Sequence, residues 1–407
     1  MSLRVLIAGG GLGGLALAHG LRRAGIEVTV LERDPAPDSR PQGYRIHIDA
    51  VGHAALAECL PEDLYELYVA TSTRTPEAQQ AMFFDHHFTQ TGAGDARVAG
   101  FAPEVAPTAV DRMTLRQILL TRLGGAVLFG RAVDEVETGG DGVVARLSDG
   151  RSLRGDVLVA ADGVQSAVRR ALLPHAVVHD TGVRAITGKT PLADLGAGLP
   201  PQLDNSFTGV HGPGFRTLAM AVYRSRRPQD RAAAELAPDA ELVRVGDYLM
   251  WLQLARVEDF PVGDARLREL GGAELRGLAL DMLGGWHPGL LDLVRPAETS
   301  SIFPLSIRAV LPLDAWKPSR VTLLGDAAHA MAPIGGRGAN TALRDAADLS
   351  AALGAVARGE MALPAAIADY EQAMRQRGSE AVVASLRNAG PSIGARSPYA
   401  EPASAAD

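Results

Sequence analysis

Apolar runs, tight glycine turns and an amphipathic stretch follow one another at the start of the chain. Residues 3–8 have the pattern of a buried strand, Leu12 to Ala24 predicts a helix that ends at Gly25, and Glu27 to Leu31 predicts a second strand. Two strands joined by a helix within about 30 residues form a βαβ unit with a right-handed crossover. The pattern therefore predicts an α/β protein built on a parallel sheet.

Two later apolar runs belong to the same predicted sheet. Residues 157–160 and 321–324 are far apart in the sequence, yet each run ends in a motif of aspartate and glycine. We therefore predict a discontinuous, Rossmann-like nucleotide-binding domain. Residues 126–129, 143–147 and 152–153 predict a small antiparallel layer, with a hairpin turn at Asp149-Gly150.

The middle of the chain has a different texture, with strand-like segments at 217–223 and 248–254 and a helical stretch at 273–283. This texture predicts an inserted α+β substrate domain, and long amphipathic patterns after Asn340 predict C-terminal helices. The predicted nucleotide-binding domain comprises residues 1–75, 101–175 and 300–387. The predicted substrate domain comprises residues 76–100 and 176–299, and residues 388–407 are expected to form a mobile tail.

Composition narrows the class of protein. A chain of 407 residues, 47% hydrophobic and 21% charged, is typical of a globular protein with two domains. The net charge of −7 and the scattered arginine pairs argue against a nucleic-acid or anionic membrane surface. The single Cys59 excludes an intrachain disulfide framework and a cysteine-type zinc site, so we predict no metal. Because the chain shows no signal-peptide pattern, we expect a cytoplasmic location. Only two of 40 basic residues are lysine, which suggests a GC-rich bacterial genome.

A GxGxxG motif, formed by Gly9, Gly11 and Gly14, joins the first predicted strand to the first helix. Glycine at these positions permits a tight turn, a close approach to a pyrophosphate and close packing of the helix, whose N-terminus stabilises an anion. Glu32 follows at the end of the second strand, where a carboxylate can accept hydrogen bonds from a ribose. Together these residues predict binding of an adenine dinucleotide.

Two further motifs follow the later strands. Asp162-Gly163 is followed by Arg169, and Gly325-Asp326 leads through His329 and Pro333 into a glycine-rich helix start. Asp326 can accept hydrogen bonds from sugar-like hydroxyls. The amides from Gly338 to Asn340 form a second positive helix end, suited to an anion or a polarised carbonyl oxygen.

These three motifs, in this order and at these separations, resemble those of the flavoprotein aromatic hydroxylases, the single-component FAD monooxygenases related to p-hydroxybenzoate hydroxylase. The resemblance covers residues 3–175 and 300–385. It implies non-covalent FAD, NADPH or NADH as co-substrate, and hydroxylation of an aromatic, enolic or polyketide-like small molecule by O₂ through a flavin C4a-hydroperoxide. The arrangement departs from the family at Arg337, where glutamine is usual, and the oligomeric state stays open.

The resemblance also implies which residues contact FAD. Asp162 resembles the aspartate shared between FAD and NAD(P)H, Asp326 the contact to the ribityl chain, and Arg112 the arginine that holds the flavin chain. The full set of expected FAD contacts is Gly9, Gly11, Leu12, Gly13, Gly14, Glu32, Arg33, Arg45, Arg112, Val133, Asp162, Asp326, Pro333, Gly336, Gly338, Ala339 and Asn340.

His47 is the candidate catalytic residue, because alternation on a strand places it on the same face as Arg45, where it could orient or deprotonate a phenol. A purely structural polar contact is the alternative at this position, and we expect His329 to be structural. Two other functions share the flavin motifs: a flavin-dependent reductase or dehydrogenase without oxygen insertion, and a non-enzymatic flavin-binding redox regulator. A flavin-dependent halogenase would need a lysine near the substrate and a Trp-x-Trp-x-x-Pro-type segment, but the chain has only two lysines, and Trp251, Trp286 and Trp316 lie far apart.

Overall fold

The computed structural model describes residues 3–39, 43–73, 80–95, 108–140, 142–204 and 206–399. Its strands are β1 Arg4–Ala8, β2 Glu27–Glu32, β3 Arg45–Ile48, β4 Gln80–Asp85, β5 Gln90–Asp95, β6 Thr108–Asp111, β7 Val127–Phe129, β8 Val133–Gly139, β9 Gly142–Leu147, β10 Ser152–Gly155, β11 Val157–Ala160, β12 Val178–Pro191, β13 Ser206–His211, β14 Thr217–Tyr223, β15 Tyr248–Arg256, β16 Phe303–Val310 and β17 Val321–Leu323. Its helices are α1 Leu12–Arg23, α2 Ala50–Cys59, α3 Glu62–Thr71, α4 Arg112–Leu120, α5 Ala167–Leu172, α6 Gln229–Leu236, α7 Asp264–Glu269, α8 Gly272–Met282, α9 Pro288–Val294, α10 Asp326–His329, α11 Arg337–Ala357 and α12 Leu363–Ile393.

The described residues contain a parallel five-stranded sheet in the order β17-β11-β1-β2-β7. The runs at 157–160 and 321–324 therefore lie in one sheet with the first strand, as the sequence predicted. Both β11 and β17 end at the same edge as β1, because neighbouring strands run in the same direction. This edge brings the three motifs of glycine and aspartate together, as is usual for ligand sites of doubly wound sheets.

The strand at 127–129 differs from its prediction. Val127–Phe129 pairs in parallel with residues 30–32 of β2, whereas the antiparallel layer consists of β8, β9 and β10. The physical reason is the preceding helix α4, which carries the chain back across the sheet before β7. A short apolar run indicates a strand, but it does not reveal the partner.

A seven-stranded sheet forms the second layer of the described structure, in the order β16-β12-β15-β14-β13-β4-β5. One face packs on α7, α8 and α9 around the buried residues Trp251, Leu218 and Phe84. The edge strand β16 lies within the third piece of the predicted nucleotide-binding domain, but it pairs with β12 in this sheet. The opposite face turns toward the parallel-sheet domain, and β3 and β6 form a two-stranded ladder that contacts β14 there.

The predicted tail from residue 388 begins as helix. Helix α12 continues to Ile393, and both Ala389 and Ile393 are buried against apolar residues of the seven-stranded sheet. The burial of these apolar side chains accounts for the longer helix. The end of the predicted tail, 400–407, lies outside the described residues. In the part of the chain that the structure describes, we find no helix with the length and apolarity needed to cross a bilayer.

Candidate functional site

The glycine loop after β1 combines close packing with one open position. Gly9 has φ of +107°, donates its N–H to the carbonyl oxygen of Leu31 over 2.8 Å, and has no room for a Cβ beside Ala161. A Cβ on Gly14 would collide with the carbonyl oxygen of Gly9, which keeps α1 tight against the sheet. A Cβ on Gly11 would meet no atom within 4 Å. The loop therefore opens toward solvent at Gly11, directly at the N-terminus of α1, where no side chain caps the helix.

Glu32 lies beside this loop and is held by the backbone. It is buried, and its Oε2 accepts the N–H of Gly10 at 2.7 Å while its Oε1 accepts the N–H of Asp34 at 2.8 Å. Next to it, Arg33 is exposed. The carboxylate thus has the fixed orientation that recognition of a ribose requires. Leu12 and Gly13 begin α1, with Gly13 close to Leu324 at the end of β17.

Arg116 is a buried residue of this site that the sequence reasoning missed. Its Nε donates to the carbonyl oxygen of Gly10 at 3.2 Å, and another guanidinium nitrogen donates to the carbonyl oxygen of Pro37. Arg116 thereby joins the glycine loop to the segment after β2. The available signal was its spacing, four residues after Arg112 on the same helix, which places both side chains on one face of α4.

The second motif is tied to the third by a buried arginine. Arg169 is 1% exposed and donates to the carbonyl oxygens of Val164 at 2.7 Å and Ala327 at 2.8 Å. The Oδ2 atom of Asp162 accepts the N–H of Ala167 at 2.9 Å. Its Oδ1 atom is buried and has no hydrogen-bond partner in the described structure. An orphaned carboxylate oxygen at this edge of the sheet fits a ligand that donates hydrogen bonds.

Asp326 is the first residue of α10, and its side chain is exposed to solvent. Protein atoms nevertheless crowd around its carboxyl group. This crowding raises the pKa of its carboxyl group, while the charges of His329 and Arg112 act in the opposite direction. The backbone N–H of Arg112 donates to the carbonyl oxygen of Tyr44 at 2.9 Å, and its guanidinium lies 5.9 Å from the Tyr44 ring.

Val133, expected to contact FAD, is buried in the hydrophobic core at the start of β8.

His329 belongs to a buried charged cluster below the third motif. Its Nε2 lies 2.5 Å from Oδ2 of Asp345, and Oδ1 of Asp345 accepts from Arg377 at 2.7 Å. Burial lowers the pKa of His329, but the charge and hydrogen bond of Asp345 outweigh it and raise the pKa overall. Because Asp345 also accepts the N–H of Gly325 at 3.0 Å, the cluster holds the turn that presents Asp326. Asp345 and Arg377 carried no sequence signal.

The glycine-rich loop leads into α11 without a side-chain cap. Gly336 has φ of +63°, which favours glycine, and Gly338, Ala339 and Asn340 follow in the first turn. The Asn340 side chain donates to the carbonyl oxygens of His47 at 3.1 Å and Gly336 at 2.9 Å. Its Oδ1 accepts the N–H of Asp49 at 3.0 Å, so this side chain joins α11 to β3 and α2. Pro333 is exposed earlier in the loop.

Arg45 and His47 lie on β3, two residues apart and therefore on one face of the strand. Burial lowers the pKa of Arg45 to about 10. Burial, and then the charges of Arg45 and His53, lower the pKa of His47 to about 3, so its imidazole is neutral at pH 7. The Cβ of His47 would lie 3.2 Å from a Cβ placed on Gly336. The structure thus brings the candidate catalytic residue to the loop before α11.

The wall opposite this loop is apolar. On this face of the seven-stranded sheet, Ala219, Leu252 and Leu305 are only half-buried, whereas most of their neighbours are fully buried, which indicates a cleft between the sheet and the loop at these three residues. Phe303 lies 6.1 Å from the Tyr44 ring. The other residues of this wall that pack near Ile334 are Ala219, Leu252 and Leu305.

Comparison with known proteins identifies a family. A family model described as "FAD binding domain" matches residues 2–186 and 296–385, which include all three motifs. A crystal structure from Photorhabdus luminescens, described as an FAD-containing monooxygenase, is 33% identical and superposes with a TM-score of 0.82, covering 96% of this chain and 99% of that one. HpxO from Klebsiella pneumoniae, complexed with FAD and uric acid, shares the fold at 22% identity, with a TM-score of 0.75 over 96% of this chain and 89% of that one.

Named relatives are monooxygenases as well. The dual O-methyltransferase/FAD-dependent monooxygenase elcB of Phaeosphaeria nodorum is 33% identical over 382 residues, 85% of this chain and 40% of that protein. The aurachin C monooxygenase/isomerase of Stigmatella aurantiaca is 29% identical over 386 residues, 95% of this chain and 88% of that protein. This chain therefore spans less than half of the fungal relative and most of the bacterial one.

The residues at the sheet edge fit FAD. Gly11 offers an opening at a helix end, Glu32 is fixed for a ribose, and Asp162 has an orphaned oxygen. The family model covers these same residues, and the similar proteins described above are FAD monooxygenases. The chain belongs to this family of FAD-dependent aromatic hydroxylases and related monooxygenases.

Proposed function

We propose that this protein uses NADPH or NADH and O₂ to hydroxylate an aromatic or enolic small molecule, such as a natural product. The single observation that carries the proposal is the juxtaposition at the edge of the parallel sheet. There the glycine loop, Asp326 and the start of α11 meet, and an apolar wall faces them across a cleft. A cofactor held at this edge would present its reactive part to a substrate on the wall.

The residues divide into four groups by the part of FAD that each would hold. Gly11 and the first amides of α1 would take the pyrophosphate, Glu32 the adenosine ribose, and Asp326 the ribityl hydroxyls. The N-terminus of α11 would stabilise negative charge on the flavin ring. When bound, FAD supplies the chemistry that passes two electrons from the nicotinamide to O₂ and inserts one oxygen atom into the substrate.

The chain's own contribution at the cleft is to orient the substrate and exclude water. The apolar wall around Leu252 and Leu305 favours an apolar ring over solvent. His47 is neutral at pH 7 and lies beside Gly336, so its imidazole can accept a hydrogen bond from a substrate hydroxyl and orient it. Asn340 holds the strand of His47 against α11 and thereby fixes this distance.

The decisive experiment is a panel of aromatic and enolic compounds incubated with the FAD-loaded protein, NADPH or NADH, and O₂. We expect nicotinamide oxidation coupled to O₂ uptake and a product that carries one added oxygen atom, which mass spectrometry detects. A reductase would give a reduced product without O₂ uptake. A redox regulator would bind FAD without turnover on any compound of the panel. Either result would contradict the proposed function.

A further inference from the structure

We propose that Lys189, together with Arg45, forms an anion subsite that binds an acidic oxygen of the substrate, a phenolate, enolate or carboxylate, while the rest of the substrate is apolar. This inference rests on the proposed function and names the chemistry of its substrate. It concerns the end of the cleft where β3 meets the seven-stranded sheet.

Lys189 lies near the end of β12, on the face of the sheet that turns toward β3. It pairs with Met250 of β15, and the alternation of the strand places it on the same face as Thr187 and Ala185. The side chain is half-buried, and its Nζ lies 5.1 Å from the centre of the Tyr248 ring. Within the described ranges, no carboxylate oxygen comes within 4.0 Å of this ammonium group.

Arg45 faces the same tyrosine from the opposite wall, and in this proposal it binds the substrate rather than making the FAD contact that the resemblance implied. It pairs on β3 with Asp111 of β6, whose Oδ2 accepts the Tyr248 hydroxyl at 3.0 Å, so the Arg45 side chain lies on the same side of this ladder as that contact. Its Nε is buried and makes no hydrogen bond to any described residue. A buried guanidinium nitrogen without an acceptor is costly, and a ligand oxygen would supply the missing acceptor.

The charges at this corner do not balance. The hydroxyl of Tyr248 donates to Oδ2 of Asp111 at 3.0 Å, while Oδ1 of Asp111 accepts the first amides of α4. A Cβ on Gly43 would lie 3.4 Å from Nζ of Lys189 and 3.5 Å from Oδ2 of Asp111, so both groups flank Gly43. Two cations thus share one carboxylate that is already hydrogen-bonded. Such an excess of positive charge in a partly buried space favours an anionic ligand.

The surface beyond the corner is uncharged. Along the same sheet face, the side chains between Lys189 at one end and Arg256 at the other are apolar or hydroxyl-bearing, as the register of β12, β14, β15 and β16 shows. The half-buried members, Leu252 and Leu305 among them, would contact the body of the substrate. The class that fits is a fused-ring or otherwise extended apolar molecule with one acidic oxygen.

The test compares two probes that differ only in the acidic oxygen: 2-hydroxy-1,4-naphthoquinone, which is an enolate near neutral pH, and its methyl ether, 2-methoxy-1,4-naphthoquinone. Binding to the FAD-loaded protein is measured by calorimetry without nicotinamide, so the readout does not depend on turnover. The variants are Lys189→Met, which removes the charge, and Lys189→Arg, which keeps it. Lys317→Met is the matched control, because Lys317 is the only other lysine and is exposed.

We expect the wild type and Lys317→Met to bind the enolate about tenfold or more tightly than the ether, a preference of about 1.4 kcal/mol. Lys189→Met should lose most of that preference with unchanged FAD content, and Lys189→Arg should keep most of it. Equal binding of the two probes by the wild type, binding of neither, or an undiminished preference in Lys189→Met would overturn the proposal. Failure of FAD binding or of coupled O₂ uptake would instead overturn the proposed function.

Discussion

Asp326 exposes its carboxyl group near Arg112, whereas Asp345, two turns into α11, is fully buried between His329 and Arg377. The two carboxylates therefore have different tasks. Asp326 is available to a ligand, and Asp345 holds the turn that presents it. Both lie in one short region of the fold, so substitutions at the two positions should separate cofactor binding from stability.

Replacing Asp326 with alanine should weaken FAD binding by about tenfold or more, because it removes an acceptor worth about 1–3 kcal/mol from ribityl hydroxyls. Titration of the apoprotein with FAD, followed by quenching of flavin fluorescence, measures the loss. Asp314→Ala is the control, since Asp314 is exposed. Equal FAD affinity in Asp326→Ala and the wild type would remove Asp326 from the site.

The pair of His329 and Asp345 should make stability depend on pH. The pKa of His329 is higher in the folded chain than the ordinary value of 6.5, mainly through Asp345, although burial opposes the shift. Its stabilisation is therefore complete below the ordinary value and is lost as the pH rises through the raised folded pKa. The difference in melting temperature between the wild type and His329→Gln should therefore shrink as the pH rises through this window. A difference that stays constant across the window would contradict the charged pair.

At the scale of elements, two glycines at the start of α1 have different tasks. Gly11 faces open space in an ordinary extended conformation, whereas Gly14 packs against the carbonyl oxygen of Gly9. The first should matter to a ligand at the helix N-terminus, and the second to the packing of the helix on the sheet. Substitution by the same small residue can distinguish these tasks.

Gly11→Ala should leave the melting temperature of the apoprotein nearly unchanged and weaken FAD binding, because the new methyl group enters only the space for the pyrophosphate. Gly14→Ala should lower the melting temperature of the apoprotein, because the methyl group has no room and overpacking costs about 1–3 kcal/mol. Differential scanning fluorimetry and FAD titration measure both effects. A Gly11→Ala apoprotein as destabilised as Gly14→Ala would show that Gly11 is a packing residue.

At the scale of the whole molecule, the loop from Pro333 to Gly336 lies between the two sheets. It includes Gly335 and Gly336, both with positive φ, and it touches β3 through His47. Such a loop can adjust when a substrate enters the cleft on the seven-stranded sheet. We expect substrate binding on one layer to control the reaction of a cofactor held by the other.

Anaerobic stopped-flow reduction by NADPH or NADH should therefore be at least about tenfold faster with a hydroxylated substrate than without it, a barrier difference of about 1.4 kcal/mol or more. The control is a compound from the same panel that binds the FAD-loaded protein but is not hydroxylated. Equal rates with and without the true substrate would show that substrate binding does not control flavin reduction, but they would not affect the assignment of FAD.

Local patterns were enough to predict the parallel sheet, the three motifs and the family, because glycine turns, buried strands and helix starts depend on neighbouring residues. Tertiary structure decided the rest. It placed Val127–Phe129 beside β2, extended α12 to Ile393, and buried Arg116 and Asp345 under the motifs, with the half-buried Arg377 paired to Asp345. It also placed Lys189 beside Tyr248, whose hydroxyl donates to Asp111, the cross-strand partner of Arg45. These contacts join residues far apart in the chain, and their free energy depends on burial and distance, which no local pattern records.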